Sequence, residues 1–323
     1  MHPIFSRITE NRENSWILAD GATGTCLFER GLLSGDAPEL WNVSKPNEIK
    51  QLHTDFIQAG SDLILTNTFG CNACRLKLHH ADDQVYALNK SAAKLARQAV
   101  DNSGKNVLVA GSIGPTGELL DPLGILTAVE AVKIFEQQIE GLRDGGADFM
   151  WGETFSSLEE LHALAEACLN MTVPFSLCMS FDTAGHTMMG VSPVNFLKSF
   201  SDHSKTQLLA LGINCGTGSS DLMLELCAMA QANIGIPLIA KGNAGIPKFS
   251  DGAIVYNSSA DMMAEYAKLC LDAGATIIGG CCGTKPTHIA AMQEALVSHS
   301  PRGIPQYDQI ISALGQPTQS RVG

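Results

Sequence analysis

No run of apolar residues in this 323-residue chain reaches the roughly 18 needed to cross a bilayer. The first residues, Met1-His2-Pro3-Ile4-Phe5-Ser6-Arg7, bring polar and charged side chains before any apolar region, so no secretory signal is expected. Basic residues are scarce: 21 Lys and Arg face 33 Asp and Glu, the formal net charge is −12, and no Lys/Arg cluster occurs. Such a surface repels phosphate backbones and anionic lipid, which argues against nucleic acid or a membrane as partner. No His-Glu-x-x-His segment exists, and none of the nine histidines has metal-ligand spacing. The turn after the first apolar run, Asp20-Gly21-Ala22-Thr23-Gly24-Thr25, lacks the G-x-G-x-x-G spacing of a dinucleotide loop. Ten cysteines are present, but in a long chain without an export signal they are expected as reduced thiols in a cytoplasm.

What the chain does have is a repeated alternation. Short apolar runs fall at Trp16–Ala19, Asp62–Thr66, Val107–Gly111, Phe149–Gly152, Pro174–Met179, Leu208–Ile213, Pro237–Ala240 and Thr276–Gly279. Between them lie helical patterns such as Glu48–Ala59, Tyr86–Val100, Ala128–Asp144, Leu158–Cys168, Asp221–Asn233 and Ala260–Asp272. Near-continuous apolar strands alternating with helices indicate a parallel sheet covered on both faces. Eight such units, with 45% apolar residues to fill the core, predict a single (β/α)8 barrel over residues 1–300. A doubly wound open sheet is the rival, and the missing phosphate loop weighs against it. The phrases Gln58-Ala59-Gly60-Ser61-Asp62, Asp144-Gly145-Gly146-Ala147-Asp148 and Asp272-Ala273-Gly274-Ala275-Thr276 each read as a helix end, a left-handed glycine, then a strand. Past about His299 the periodicity stops. Residues 301–323 form a tail suited to docking on the barrel or crossing to a partner subunit, and a homo-oligomer is expected.

Barrel chemistry gathers where the strands end. Those ends carry Asp20-Gly21, Thr66-Asn67-Thr68, Gly111-Ser112, Glu153-Thr154, Asn214-Cys215, Lys241-Gly242-Asn243 and Cys281-Cys282. Three thiols, Cys215, Cys281 and Cys282, converge there from distant strands. Buried cysteines commonly act as small apolar residues, but an adjacent pair flanked by glycines at a strand end points to metal. Soft thiolates select zinc, and three protein ligands leave a fourth position open for catalysis. Cys71-Asn72-Ala73-Cys74 has a ligand-like spacing, yet no second such pair completes a site. Cys26, Cys168, Cys178, Cys227 and Cys270 are expected in the core. Glu153 and Asp20, two carboxylates with no lysine nearby, suit a ligand carrying an ammonium group. Trp41 and Phe69 are candidates to wall the pocket, with ordinary packing as their alternative.

From about Trp16 to His299 the chain resembles the homocysteine S-methyltransferase family. The motifs are Asp20-Gly21-Ala22-Thr23-Gly24-Thr25, Thr66-Asn67-Thr68-Phe69, Gly111-Ser112-Ile113-Gly114-Pro115, Glu153-Thr154-Phe155, Asn214-Cys215-Gly216 and Gly279–Thr284. That family comprises betaine and S-methylmethionine enzymes and the homocysteine domain of cobalamin-dependent methionine synthase, all barrels with a three-cysteine zinc. The resemblance implies that Cys215, Cys281 and Cys282 hold Zn2+. It implies that Asp20 and Glu153 receive the L-homocysteine ammonium, that Thr66 and the Gly21 N–H hold its carboxylate, and that Asn214 supports the metal. The tyrosines of the animal betaine enzymes are replaced here by Gly70 and Thr154, and no Asp-x-His-x-x-Gly cobalamin motif occurs. Glycine betaine is the first expected donor, with Trp41 facing its quaternary ammonium. S-methylmethionine or another sulfonium comes second, and a separate methylated corrinoid protein third. Two readings from other classes stand beside these. One is a zinc-thiolate redox sensor without turnover, which would not need Asp20, Glu153 and Thr66. The other is a Schiff-base barrel enzyme using Lys241.

Overall fold

The computed structural model describes residues 4, 6, 16–200, 207–250 and 253–318. Eight strands form one parallel sheet: β1 (Ile17–Leu18), β2 (Leu63–Leu65), β3 (Leu108–Ile113), β4 (Phe149–Phe155), β5 (Phe175–Met179), β6 (Leu208–Cys215), β7 (Leu238–Gly242) and β10 (Ala275–Gly280). Their order is β1-β10-β7-β6-β5-β4-β3-β2. The sheet closes because Ala19 bridges Leu63, with Asp62 N donating to Leu18 O and Asp20 N to Leu63 O. This is the (β/α)8 barrel expected from the alternation. Inside it, Ile17, Leu63, Leu108, Phe149, Trp151, Cys178, Ile239 and Ile277 pack into one cluster, so the barrel is a filled core. The larger apolar cluster lies between the strands and the surrounding helices.

The helices start and stop where local chemistry dictates. Thr127 and Glu130 form a reciprocal cap on the Ala128–Gly145 helix, and Ser157 and Ser259 accept from Glu160 N and Met262 N at the starts of Leu158–Asn170 and Ala260–Asp272. Gly60, Gly146 and Gly274 take positive φ of 108°, 100° and 88° between helix and next strand, as the repeated phrases predicted.

Two features depart from the expected pattern. β4 and β6 run further than their apolar stretches, because Phe155 still pairs with Met179 and Cys215 with Gly242. Glu153 and Cys215 therefore sit on the strands themselves. The connection after β7 carries a small antiparallel ribbon, β8 (Lys248–Ser250) with β9 (Ala253–Val255), which no periodicity announced. Past His299 a helix at Tyr307–Leu314 buries Ile310 and Leu314 against the same core. Ser220 Oγ donates to the carbonyls of Leu314 and Gly315, and Thr318 donates twice to Asp221. The described part of the tail thus lies on its own barrel. No described helix is long and apolar enough to cross a membrane.

Candidate functional site

The three strand-end thiols meet. The sulfurs of Cys215, Cys281 and Cys282 lie within 4.8 Å of one another, the Cys215–Cys282 pair at 4.0 Å. Among the described residues this is the one group of three or more ligands able to share an ion. Zinc–sulfur bonds of about 2.3 Å in a tetrahedron place sulfurs about 3.8 Å apart, so the donor set fits zinc in chemistry and spacing. Cys215 reaches the group through a left-handed backbone, φ 63°, rare for a side chain with a Cβ. Its neighbours hold that conformation: Gly216 N donates to Ser180 Oγ, and Asn243 Nδ2 to Gly216 O. On the other side, Cys281 N donates to Gly242 O and Ala244 N to Cys282 O. Hydrogen bonds to the other two sulfurs push the Cys215 thiol far up, and the Cys282 thiol, which receives one from Cys215 and one from Cys281, is pulled down. Three thiolates cannot coexist at this spacing without a cation between them.

Asn214 ties the metal corner to β4. It accepts from Thr154 N and donates to Thr154 Oγ1, both at 2.7 Å, while its amide also faces Cys281 Sγ at 3.8 Å. Thr154, like Cys215, has φ 63°.

Beside the thiols lies a cavity of about 310 Å³, lined among others by Gly21, Thr66, Phe69, Glu153, Lys241 and the three cysteines. The expectation that no lysine stands near the carboxylates is corrected here. Lys241, 2% exposed, donates to Asp20 Oδ1 at 2.6 Å and to Asp20 O at 3.2 Å. The other Asp20 oxygen accepts from Leu65 N. Asp20 is therefore occupied within the fold and is absent from the cavity lining, whereas Glu153 lines the cavity and accepts from Ser112 Oγ. Burial raises Glu153 to about 7, against the opposing pull of Lys241. Burial disfavours the charge on Lys241, but Asp20 and Glu153 outweigh it and hold the ammonium above the ordinary lysine value. A Schiff-base enzyme needs a neutral amine, so this environment disfavours that reading.

Thr66 lines the cavity, but its hydroxyl hydrogen is spent. Thr68 Oγ1 donates to Ser112 O, so Thr66 must be the donor in the 2.6 Å Thr66–Thr68 contact, and it accepts from Ser112 N. It can still accept from an ammonium and cannot donate to a carboxylate as it stands. The Gly21 N–H has no partner among the described residues.

The profile described as homocysteine S-methyltransferase matches residues 17–296. The chain belongs to this family. Methionine synthase of Mycobacterium tuberculosis (strain ATCC 25618 / H37Rv) is 28% identical over 315 residues, covering 92% of this chain and 26% of that protein. Methionine synthase of Mycobacterium leprae (strain TN) is 27% identical over 335 residues, covering 97% and 27%. The chain thus spans about a quarter of the length of these curated relatives. The solved homocysteine methyltransferase MmuM of Escherichia coli, in its oxidized and metallated forms, superposes with a TM-score of 0.73 at 26% identity, covering 87% of this chain and 96% of that one.

In this member of the family the remaining candidates separate cleanly. Phe69 lines the cavity. Trp41 does not: it is packed in the helix-side core with Lys45 Nζ 3.9 Å over its ring, so it cannot wall a donor site. Cys71 is buried in a small cluster of its own and Cys74 is half-buried outside the thiol group. Cys26, Cys168, Cys178, Cys227 and Cys270 are buried as expected. Three lining or neighbouring residues escaped notice in the sequence. Glu39, on a short 3-10 turn, accepts from Gly70 N and fills the space a side chain at Gly70 would need. Phe28 adds a second aromatic wall. Tyr256 follows the ribbon and covers Gly283, where a Cβ would come within 2.3 Å of it. Glu39 and Tyr256 lie outside the periodic segments, and Phe28 sits in the short Thr23–Glu29 helix, too brief for its period to show in the sequence.

Proposed function

We propose that this chain transfers a methyl group to the thiolate of L-homocysteine, giving methionine, in a zinc-dependent reaction. The observation that carries the reading is a cavity with three convergent thiols on its wall and both a carboxylate and an ammonium on its lining. Zinc held by Cys215, Cys281 and Cys282 would lower the pKa of a thiol, supplying the thiolate that a free thiol of pKa about 8.5 does not offer at neutral pH. The protein's own groups bind and orient. Glu153 and the free lone pair of Thr66 receive the amino-acid ammonium, and the Gly21 N–H faces its carboxylate. Asn214 fixes the Cys281 corner against Thr154. Holding sulfur and methyl donor in line lowers the entropic part of the barrier. The S–CH3 bond forms as the donor's bond to that carbon breaks. The electron pair leaves with a neutral amine or thioether, so no proton transfer is required.

At 310 Å³ the cavity is at the small end of ligand sites, enough for an amino-acid thiol with a small onium donor. Glycine betaine remains the first donor to offer, with Phe28 and Phe69 as the aromatic faces in place of Trp41. The test uses zinc-loaded protein and homocysteine with glycine betaine, S-methylmethionine, dimethylsulfoniopropionate or a methylated corrinoid protein in parallel, and quantifies methionine by mass spectrometry. Methionine from one onium donor supports the reading and names the donor. Methionine from the corrinoid alone shifts the partner to a second protein, and methionine from none favours a zinc-thiolate sensor.

A further inference from the structure

Lys241 stands where the sheet register places it next to the thiol corner. It pairs with Gly279 across β7 and β10, two residues before Cys281, and with Asn214 across β6 and β7, one residue before Cys215. An ammonium has three N–H donors. Two are directed at Asp20, to Oδ1 and to the main-chain oxygen, and the third has no partner among the described residues. The side chain also lines the cavity. Its other near neighbour is the Trp151 ring, 5.9 Å from the ammonium, which offers no hydrogen-bond acceptor, so an acceptor for the third N–H has to come from the cavity.

Of the other polar groups on the cavity lining, Glu39, Glu153 and the Thr66 lone pair accept and the Gly21 N–H donates, the remaining hydroxyls and the amide are neutral, and Lys241 is the one cationic side chain among them. A carboxylate therefore finds no hydroxyl donor in Thr66, and its charged partner has to come from elsewhere. Asp20 neutralises most of the Lys241 charge, which keeps the site from being strongly basic and leaves Glu153 free for a cation. The geometry points to Lys241 as the specificity-determining residue that receives the carboxylate of the acceptor thiol, with the Gly21 N–H as its companion. This assignment rests on the proposed homocysteine reading and gives Lys241 the carboxylate role that the family resemblance implied for Thr66.

Three ligands separate the roles: L-homocysteine, 4-mercaptobutanoate, which lacks the amine, and 3-mercaptopropylamine, which lacks the carboxylate. Each is titrated into zinc-loaded protein by calorimetry. Lys241→Met is expected to weaken homocysteine and 4-mercaptobutanoate by about 10- to 100-fold, the scale of a charged hydrogen bond, and to leave 3-mercaptopropylamine unchanged. Glu153→Gln is expected to do the converse, sparing 4-mercaptobutanoate. Because Lys241→Met strands the buried Asp20 charge, the double variant Asp20→Asn/Lys241→Met is measured as well. It removes both charges, keeps the bond from Leu65 N, and should show the same selective loss. An equal loss for 3-mercaptopropylamine, or no loss for homocysteine in the double variant, overturns the carboxylate assignment while leaving homocysteine as acceptor. Failure of the unmodified protein to bind homocysteine overturns the acceptor reading and this assignment with it.

Discussion

Cys215 combines two demands that usually exclude each other. Its φ of 63° is a conformation in which glycine is comfortable and a side chain costs about 1 kcal/mol or more, yet only a side chain can bring sulfur to 4.0 Å from Cys282. Cys215→Gly should therefore raise the melting temperature of the metal-free protein slightly while abolishing zinc uptake. Cys215→Ser and Cys281→Ser should lose zinc without that gain and keep the same far-ultraviolet circular dichroism. Full zinc content in either serine variant contradicts the ligand assignment. Glu153 is tunable in a different way. Its folded pKa of about 7 exceeds the ordinary 4.5, so the folded protein keeps a proton that the unfolded chain releases. That contribution is complete below about pH 4.5 and is lost as pH rises through about 7. Glu153→Gln has no such loss. Metal-free Glu153→Gln should gain on the unmodified protein between pH 5 and pH 8 by at most about 3 kcal/mol, less where solvent reaches the cavity. Thermal melts at the two pH values check this, and a constant gap refutes it. At this scale the thiols and Glu153 were legible, because strand ends share one face of a barrel. The Asp20–Lys241 pair was not, since its partners are 221 residues apart and no local pattern links them.

At the scale of elements, alternation of apolar runs and amphipathic helices sufficed to expect all eight barrel strands. The helix at Ala260–Asp272 begins and ends where its pattern does. Strand ends were harder to place. In β4, Glu153 and Thr154 sit in an irregularity between the paired Gly152 and Phe155, and in β6, Asn214 and Cys215 pair with Lys241 and Gly242; none of the four carries an apolar strand signal. β8 and β9 are three residues each, too short for a period to show in the sequence. Asn214 is the side chain that makes the extended ends of β4 and β6 one unit, through two 2.7 Å bonds to a residue held at positive φ. Asn214→Ala leaves Thr154 N without its acceptor, at a cost of about 1–3 kcal/mol. Its larger expected effect is local. Amide exchange at Thr154 should rise and zinc should dissociate faster, with the barrel otherwise intact. Unchanged protection at Thr154 would show that the rim does not depend on this link.

Across the whole molecule, the thiol group bridges strands that are not neighbours. Cys215 ends β6 and Cys281-Cys282 follow β10, with β7 between them. β10 in turn pairs with β1, the shortest strand, which meets β2 through a single bridge at Ala19. An ion shared by the three sulfurs would therefore brace the part of the barrel beside its weakest closure. Ligand linkage sets the size of that effect. At 1,000 times its dissociation constant a ligand specific to the folded state adds about 4 kcal/mol. For a barrel of this length that is a rise of roughly 5–10 °C in melting temperature. Zinc is expected to produce such a rise and magnesium none, because thiolates are poor ligands for a hard cation. Because the three sulfurs act together, Cys282→Ser alone should remove nearly all of the shift. A shift that survives in Cys282→Ser would place the stabilising ion somewhere other than between β6 and β10.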